Sequence, residues 1–535
     1  MNSTAQVIGV VFVVAVILDI YIVFFHKKFR AYWRQRTQAA GESPSVGQRA
    51  RRRLLSARAF LAELWRHLWL DERRAAKTLI AASAILGSVS IGAVYVNNIG
   101  IFFFPIALWL IEIGLCCLML SPAVNAGYKF RIGPVWPKLL ALLAAAFLLR
   151  FVGLSVLPPG FHTDEHGTAQ FVQRQVLNPL NNGQTVNPFI IDSNNQPVFY
   201  DYLWRLSLSL FGFTIAGARM SSVIAGTLSI AATFLLVDEM AGRRTAWLTA
   251  ILMTAYHYHI HWSRLALNNI WVTLLVPLTL GLFLKGWRER RAGYAIWAGL
   301  SLGFTAYFYA GGYFILFLLP ILFWQAWKKT EDHMGLSMFA GKMLATALVV
   351  AAPHMVFAIH SPDRFLLRVR DILAWNPGYT QTLPNSSGSL WGFLGYQFSR
   401  SFGAYNFYTD ITGFYRPEIP FLIGFASAIF LWGIAWAIYK KQFFPLAWLA
   451  LVTILGGVMS AGTPGSSHFI GVIPAVCWLI ALPLDWLMQN GRSRWAYILL
   501  IVILATDLVF YFSIYRSSPS PDLILKFPLV EPYLH

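Results

Sequence analysis

Apolar runs close to 20 residues long recur along this 535-residue chain and constrain its fold more than any other feature. The segment from Gln6 to Phe25 is one, and Met343 to Ile359 is a shorter one. About 20 apolar residues cross a bilayer as a helix. Backbone groups in lipid must pair internally, so such runs are helices and not irregular chain. Composition agrees: 57% of residues are hydrophobic and 12% charged, against roughly 25% charged in soluble domains. Apolar length gives about 14 spans, near 5–25, 77–95, 101–121, 137–157, 213–237, 245–262, 268–285, 293–309, 312–327, 343–360, 419–439, 443–461, 468–487 and 495–514. The expected fold class is an all-α polytopic membrane protein. The first span lacks a basic flank before it and a small-residue cleavage site, so it reads as a retained helix.

Charge fixes the orientation. The formal net charge is +19, and between Lys27 and Lys77 there are 14 Lys and Arg against 4 acidic residues. A basic block beside a span is retained in the cytoplasm. The location of the charge thus explains it better than nucleic-acid binding does. Alternation then places Lys129, Arg131, Arg243, Arg244, Arg288–Arg291, Lys328, Lys329, Lys440, Lys441, Arg492 and Arg494 inside. About 30 of the 42 basic residues fall there. Two long loops, 158–211 and 361–418, fall outside, as does the tail from 515 to 535. Cys116, Cys117 and Cys477 lie in apolar runs and give neither a disulfide framework nor metal spacing. The expected location is the plasma (inner) membrane, with the long loops on its periplasmic or extracellular face.

The first outer loop opens Pro-Pro-Gly-Phe-His-Thr-Asp-Glu-His-Gly at Pro158–Gly167. Thr163 is expected to cap a helix running to Gln173, with Asp164 and Glu165 in its first turn. A structural reading assigns these carboxylates to the helix dipole. A chemical reading makes one of them a general base at the membrane surface. Val198–Gly212 mixes aromatic and apolar residues with Asp201 and Arg205 and reads as an interfacial amphipathic helix.

The His162–Glu165 element resembles the acidic motif in the first outer loop of family-39-type glycosyltransferases, which include protein O-mannosyltransferases and lipid A aminoarabinose transferases. Further elements follow in that family's order. They are Asn195–Tyr200, Gly217–Ser222, Gly242–Arg244, His259–Arg264, Tyr307–Tyr313, and Gly465–His468 followed by Pro474. The resemblance covers about Pro158 to Trp327 well and thins toward Leu487. It departs at Asn268 and Asn269, where the family carries a second Arg, and at Gly471, three residues after the late His. It implies a GT-C-like core of about 11 helices over 131–514, with short interfacial helices in the outer loops. Residues 1–130, including the loop 27–76, have no counterpart and form an added three-helix region.

The resemblance implies a polyprenyl-phosphate sugar donor, transfer with inversion, and a protein, glycan or lipid acceptor. Asp164 and Glu165 are the catalytic candidates. Arg219, Arg264 and His468 are the candidates for carrier phosphate; for the two arginines the alternative is an anchor snorkelling to headgroups. His162, Tyr200 and Tyr309 are candidate substrate contacts. Asp164, Glu165, Arg219, Arg264, Tyr309 and His468 all map to outer ends of spans or to outer loops, although inner charges alone set the orientation. His257 and His261 share a helix face, a possible metal pair, with His259 between them; no third ligand is obvious nearby, so no cofactor is firmly expected and a divalent metal stays an unsupported alternative. Asp19, Glu112 and Asp507 lie within apolar runs; for the first two, pairing with a polar group on a partner helix ranks above a proton relay. The first three helices also offer a surface for a membrane partner. The alternatives to an enzyme are a transporter or flippase, which would place polar groups at the midplane, and a membrane scaffold.

Overall fold

A computed structural model describes residues 72–97, 104–120, 135–172, 187–191, 196–374, 390–411, 415 and 418–515. The first expected span with Asp19, the basic block before residue 72, and the tail after Tyr515 lie outside the described residues. Every regular element among the described residues is helical. Two isolated antiparallel bridges, Ile191 with Pro197 and Leu373 with Ser460, are the extended pairings among them.

The first helices are α1 (Glu72–Asn97), α2 (Phe104–Leu120), α3 (Val135–Phe151), α4 (Thr163–Phe171), α5 (Val198–Phe211) and α6 (Ile215–Ala241). Next come α7 (Arg243–Ala255), α8 (His257–Trp262), α9 (Trp271–Arg288), α10 (Ala292–Thr305), α11 (Ile315–Lys329) and α12 (His333–His360). The segment after α12 holds α13 (Pro362–Ile372) and α14 (Leu390–Gly403). The chain closes with α15 (Phe425–Tyr439), α16 (Phe443–Thr453), the short α17 (Ser466–Phe469), α18 (Ile473–Gln489) and α19 (Ser493–Val509).

Among the described residues, six helical stretches are long and apolar enough to cross a membrane: Ile215–Ala241, Asn268–Arg288, Ala310–Lys329, His333–His360, Ser466–Gln489 and Ser493–Ile514. Ala81–Ala93, Phe425–Tyr439 and Phe443–Val458 are shorter apolar stretches. The all-helical class stands, and most expected spans coincide with a helix. One does not. The run 245–262 is two helices, because Tyr256 leaves helical geometry (φ −58°, ψ 116°) between α7 and α8. The last carbonyls of α7 would then lack partners, which is costly in lipid. Arg150 supplies the donors: Nη2 to Met253 O at 3.2 Å and Nη1 to Thr254 O at 3.3 Å.

α18 is the centre of the core, with nearly every residue from Ile473 to Leu484 buried. It packs against α7, α15, α16 and α19, while α6 packs against α7, α9 and α5. On the other side α12 lies against α10, and α1 and α2 lie against α12. Ser88 of α1 donates to Glu112 Oε2 of α2 at 2.9 Å. Glu112 therefore pairs with a polar group on a neighbouring helix, as an intramembrane carboxylate requires.

Candidate active site

The site is built on the turn that follows α3. Arg264, at the end of α8, reaches back to that turn. It donates to Leu149 O, Arg150 O, Val152 O and Leu157 O at 2.9–3.0 Å. It thus caps α3 with a cation at the negative end of the helix. Arg219 of α6 closes the next segment through Leu154 O, Pro158 O and Gly160 O. Its remaining N–H groups make a bidentate pair with Glu165, at 2.9 Å from Nε and 2.8 Å from Nη2. A guanidinium has five N–H donors, and all five of Arg219 are engaged within the chain.

Glu165 is equally occupied. Besides Arg219, it accepts from Ala266 N at 2.6 Å and from His162 N at 2.9 Å. Both Arg219 and Glu165 are 0% exposed. The bond to His162 N is half of a capping box at the start of α4; the other half is Asp164 N donating to His162 Nδ1 at 3.1 Å. The helix cap is thus His162, not the expected Thr163. His reaches the second amide after it with Nδ1 and so fills the acceptor role of a short polar cap. The described part of this helix runs from Thr163 to Phe171, and its expected end at Gln173 lies outside the described residues.

Asp164, one residue before Glu165, is exposed. Among the described residues its carboxylate accepts no hydrogen bond, and its charge acts on the Tyr309 hydroxyl. The Arg368 charge acts on that hydroxyl too, and also on the His468 ring. Asn269 is a further polar neighbour of Tyr309. Tyr309, His468 and Arg368 are all partly accessible. Ser466 Oγ is buried without a hydrogen-bond partner among the described residues. Asp164, Asn269 and Arg368 are thus neighbours of Tyr309, and Arg368 also neighbours His468, which brings together the loop after α3, the turn before α11, α13 and α17.

Three expected site residues lie elsewhere. Arg219 and Arg264 are buried and turned to backbone carbonyls and Glu165, so neither presents a free fork to a phosphate. Tyr200 is 2% exposed and packs in the core with its ring 6.4 Å from that of Phe308. His257 and His261 both meet Tyr415, one by a 2.7 Å contact to its hydroxyl and the other by ring stacking at 4.1 Å. His259 turns instead to Arg150, at 2.7 Å. Among the described residues no group of three His, Cys, Asp or Glu side chains is arranged to hold a metal ion.

Sequence reasoning missed Arg368. It lies on α13, whose Arg364 and Arg368 fall on one flank while Phe365, Val369 and Ile372 form an apolar stripe. That helical period was legible in the sequence; the partner of the polar flank was not. Asn269, read as a departure from an Arg pattern, is a member of the cluster.

The fold and cluster define a helical membrane protein with a polar site assembled where several helix ends and loops meet. Residues 195–357 match the family model described as dolichyl-phosphate-mannose-protein mannosyltransferase. The match includes Arg219, Arg264, Asn269 and Tyr309; Asp164, Arg368 and His468 lie outside it. Among solved structures the chain is similar to the oligosaccharyltransferase AglB of Archaeoglobus fulgidus in complex with an inhibitory peptide and a dolichol-phosphate. The identity is 16% over 72% of this chain and 56% of that one, with a TM-score of 0.46. It is also similar to ArnT of Cupriavidus metallidurans bound to undecaprenyl phosphate, at 14% identity over 72% of this chain and 74% of that one, with a TM-score of 0.41. The chain thus spans little more than half the length of the AglB chain. No curated protein matches the chain.

Proposed function

We propose that this protein is a membrane glycosyltransferase that moves a sugar from a polyprenyl-phosphate carrier to an acceptor at the non-cytoplasmic face. The observation that carries the reading is the division of labour at Asp164 and Glu165. One carboxylate is fully consumed in holding the loop, and its neighbour stands accessible with no hydrogen-bond partner among the described residues. A general base must be free to receive a proton and fixed in position. Asp164 meets both conditions because Glu165 anchors its helix turn. The mannosyltransferase-type segment at 195–357 supplies the reaction class.

In this reading the acceptor X–H loses its proton to Asp164. The bond from X to the anomeric carbon forms as the bond from that carbon to the carrier phosphate oxygen breaks. The bonding pair leaves with the phosphate, and a single displacement inverts the anomeric centre. Charge grows on the leaving phosphate, so preorganised donors there lower the barrier. In this reading Arg368 and His468 take that task, in place of Arg219 and Arg264. Tyr309 and Asn269 offer hydrogen bonds to sugar or acceptor. His162 acts through its backbone and ring as the cap that sets the Asp164 turn. The acceptor is a protein, a glycan or a lipid.

The excess of basic residues on the opposite side of the spans supports the outer face as the working one. The test is transfer of labelled sugar from a polyprenyl-phosphate mannose by purified protein in lipid nanodiscs, with the anomeric configuration of the product read by NMR. Transfer with inversion supports the reading. A product with retained configuration contradicts it, since one displacement cannot retain.

A further inference from the structure

Trp109 of α2 is 1% exposed and lies beneath the site's supports. Its indole N–H donates to Val349 O of α12 at 3.1 Å. That carbonyl is four residues before Pro353, which sits inside α12. In a helix the carbonyl of residue i−4 is paired by the N–H of residue i, and proline has none. Trp109 therefore supplies the donor that Pro353 removes, in a helix long and apolar enough to cross a membrane, where an unpaired carbonyl is expensive. Helix α1 fits the same place from the other side. A side chain at Gly92 would stand 2.8 Å from Pro353 Cα and 3.0 Å from Val356 Cβ, so only glycine admits the contact.

The next carbonyl of α12, Val350 O, accepts from Tyr307 OH at 2.7 Å. Trp109 packs edge-on against Tyr307 at 5.8 Å and against Phe189 at 5.1 Å. His354, one residue after Pro353, meets Phe189 O at 2.7 Å and the Tyr307 ring at 5.3 Å. The same His354 ring packs edge-on against Phe365 of α13 at 5.6 Å. Phe189 belongs to the first outer loop, Tyr307 is two residues from Tyr309, and Phe365 is three residues from Arg368. The segment of α12 around Pro353 thus ties together elements on several sides of the site, and α2 completes that segment.

We infer that Trp109 is a positioning residue for the site, and that α1 and α2 are a working part of the core. Trp109 repairs the gap left by Pro353, and with His354 it fixes the turn carrying Tyr309 and the helix carrying Arg368. The catalytic half of this claim rests on the proposed transferase reading. The coupling half does not.

The test is a double-mutant cycle of Trp109→Phe and Pro353→Ala, read by hydrogen exchange on purified full-length protein in nanodiscs. Trp109→Phe keeps a ring and removes the N–H, so it is the variant best placed to fold. Pro353→Ala restores a backbone N–H to Val349 O. Trp109→Phe is expected to raise exchange about tenfold in peptides covering 305–314 and 362–372, with 473–489 unchanged. In the Pro353→Ala background it is expected to raise exchange less than threefold. Equal increases in both backgrounds, or a rise spread evenly over the chain, would overturn the coupling.

In the sugar-transfer assay Trp109→Phe is expected to lower kcat about fivefold, with KM for the lipid donor within twofold. Adding Pro353→Ala is expected to recover most of that loss. A single variant with unchanged kcat overturns the positioning role even if the exchange result holds. If the wild type transfers no sugar, the transferase reading and the catalytic half fall together, and the exchange cycle alone decides the coupling.

Discussion

Glu165 and Asp164 are adjacent in the chain, yet Glu165 is 0% exposed with four hydrogen bonds, while Asp164 is exposed. The sequence presents them as a pair of equivalent acids. The structure separates them into a buried anchor and an accessible carboxylate, and each state has its own consequence.

Glu165→Gln leaves the buried Arg219 without its counter-charge. Breaking a buried ion pair by removing one partner costs about 3–5 kcal/mol. The variant should show a lowered unfolding midpoint in detergent and a reduced yield of monodisperse protein. Residual folded molecules should still transfer sugar. An unchanged midpoint together with lost activity would mean that Glu165 takes part in the chemistry.

Arg264→Ala removes four hydrogen bonds to the turn after α3. Buried carbonyls left without donors cost about 1–3 kcal/mol each, partly relieved where water enters. The expected result is a loss of folded protein, measured by size-exclusion yield and thermal midpoint. Lysine should not rescue it, because one ammonium cannot replace a planar fork spread over several carbonyls. Wild-type stability with weaker carrier binding would return Arg264 to the phosphate site.

Arg368→Ala should behave in the opposite way. Arg368 is partly exposed and makes no ion pair among the described residues. Its loss should change stability by about 0.5 kcal/mol or less. A hydrogen bond to a charged group is worth about 1.5–3 kcal/mol, so KM for the lipid-phosphate donor should rise roughly 10- to 100-fold. Steady-state kinetics against donor concentration, beside a thermal melt, separates the two effects.

The membrane class and most helix positions were legible because hydropathy is a local property. The Asp164 turn stood out because acidic residues at the end of an apolar run are conspicuous. The state of Arg219 and Arg264 was not legible. An arginine at a span end reads the same whether it faces headgroups or the carbonyls of another helix, and only tertiary structure says which. The break at Tyr256 was hidden for a related reason: residues 245–262 carry no charged residue, Pro or Gly to mark a stop, and the N–H donors to the freed carbonyls come from Arg150, about a hundred residues earlier. Arg368 was missed because amphipathic period shows which flank of α13 is polar and does not show what that flank meets.

The central claim is that Asp164 removes the acceptor proton. The most direct measurement is kcat for sugar transfer by Asp164→Asn, which keeps size and loses the base. The account predicts a fall of about 10²- to 10⁴-fold, with the unfolding midpoint and donor affinity unchanged. An Asp164→Asn protein that is folded, binds donor and transfers sugar at the wild-type rate would contradict it.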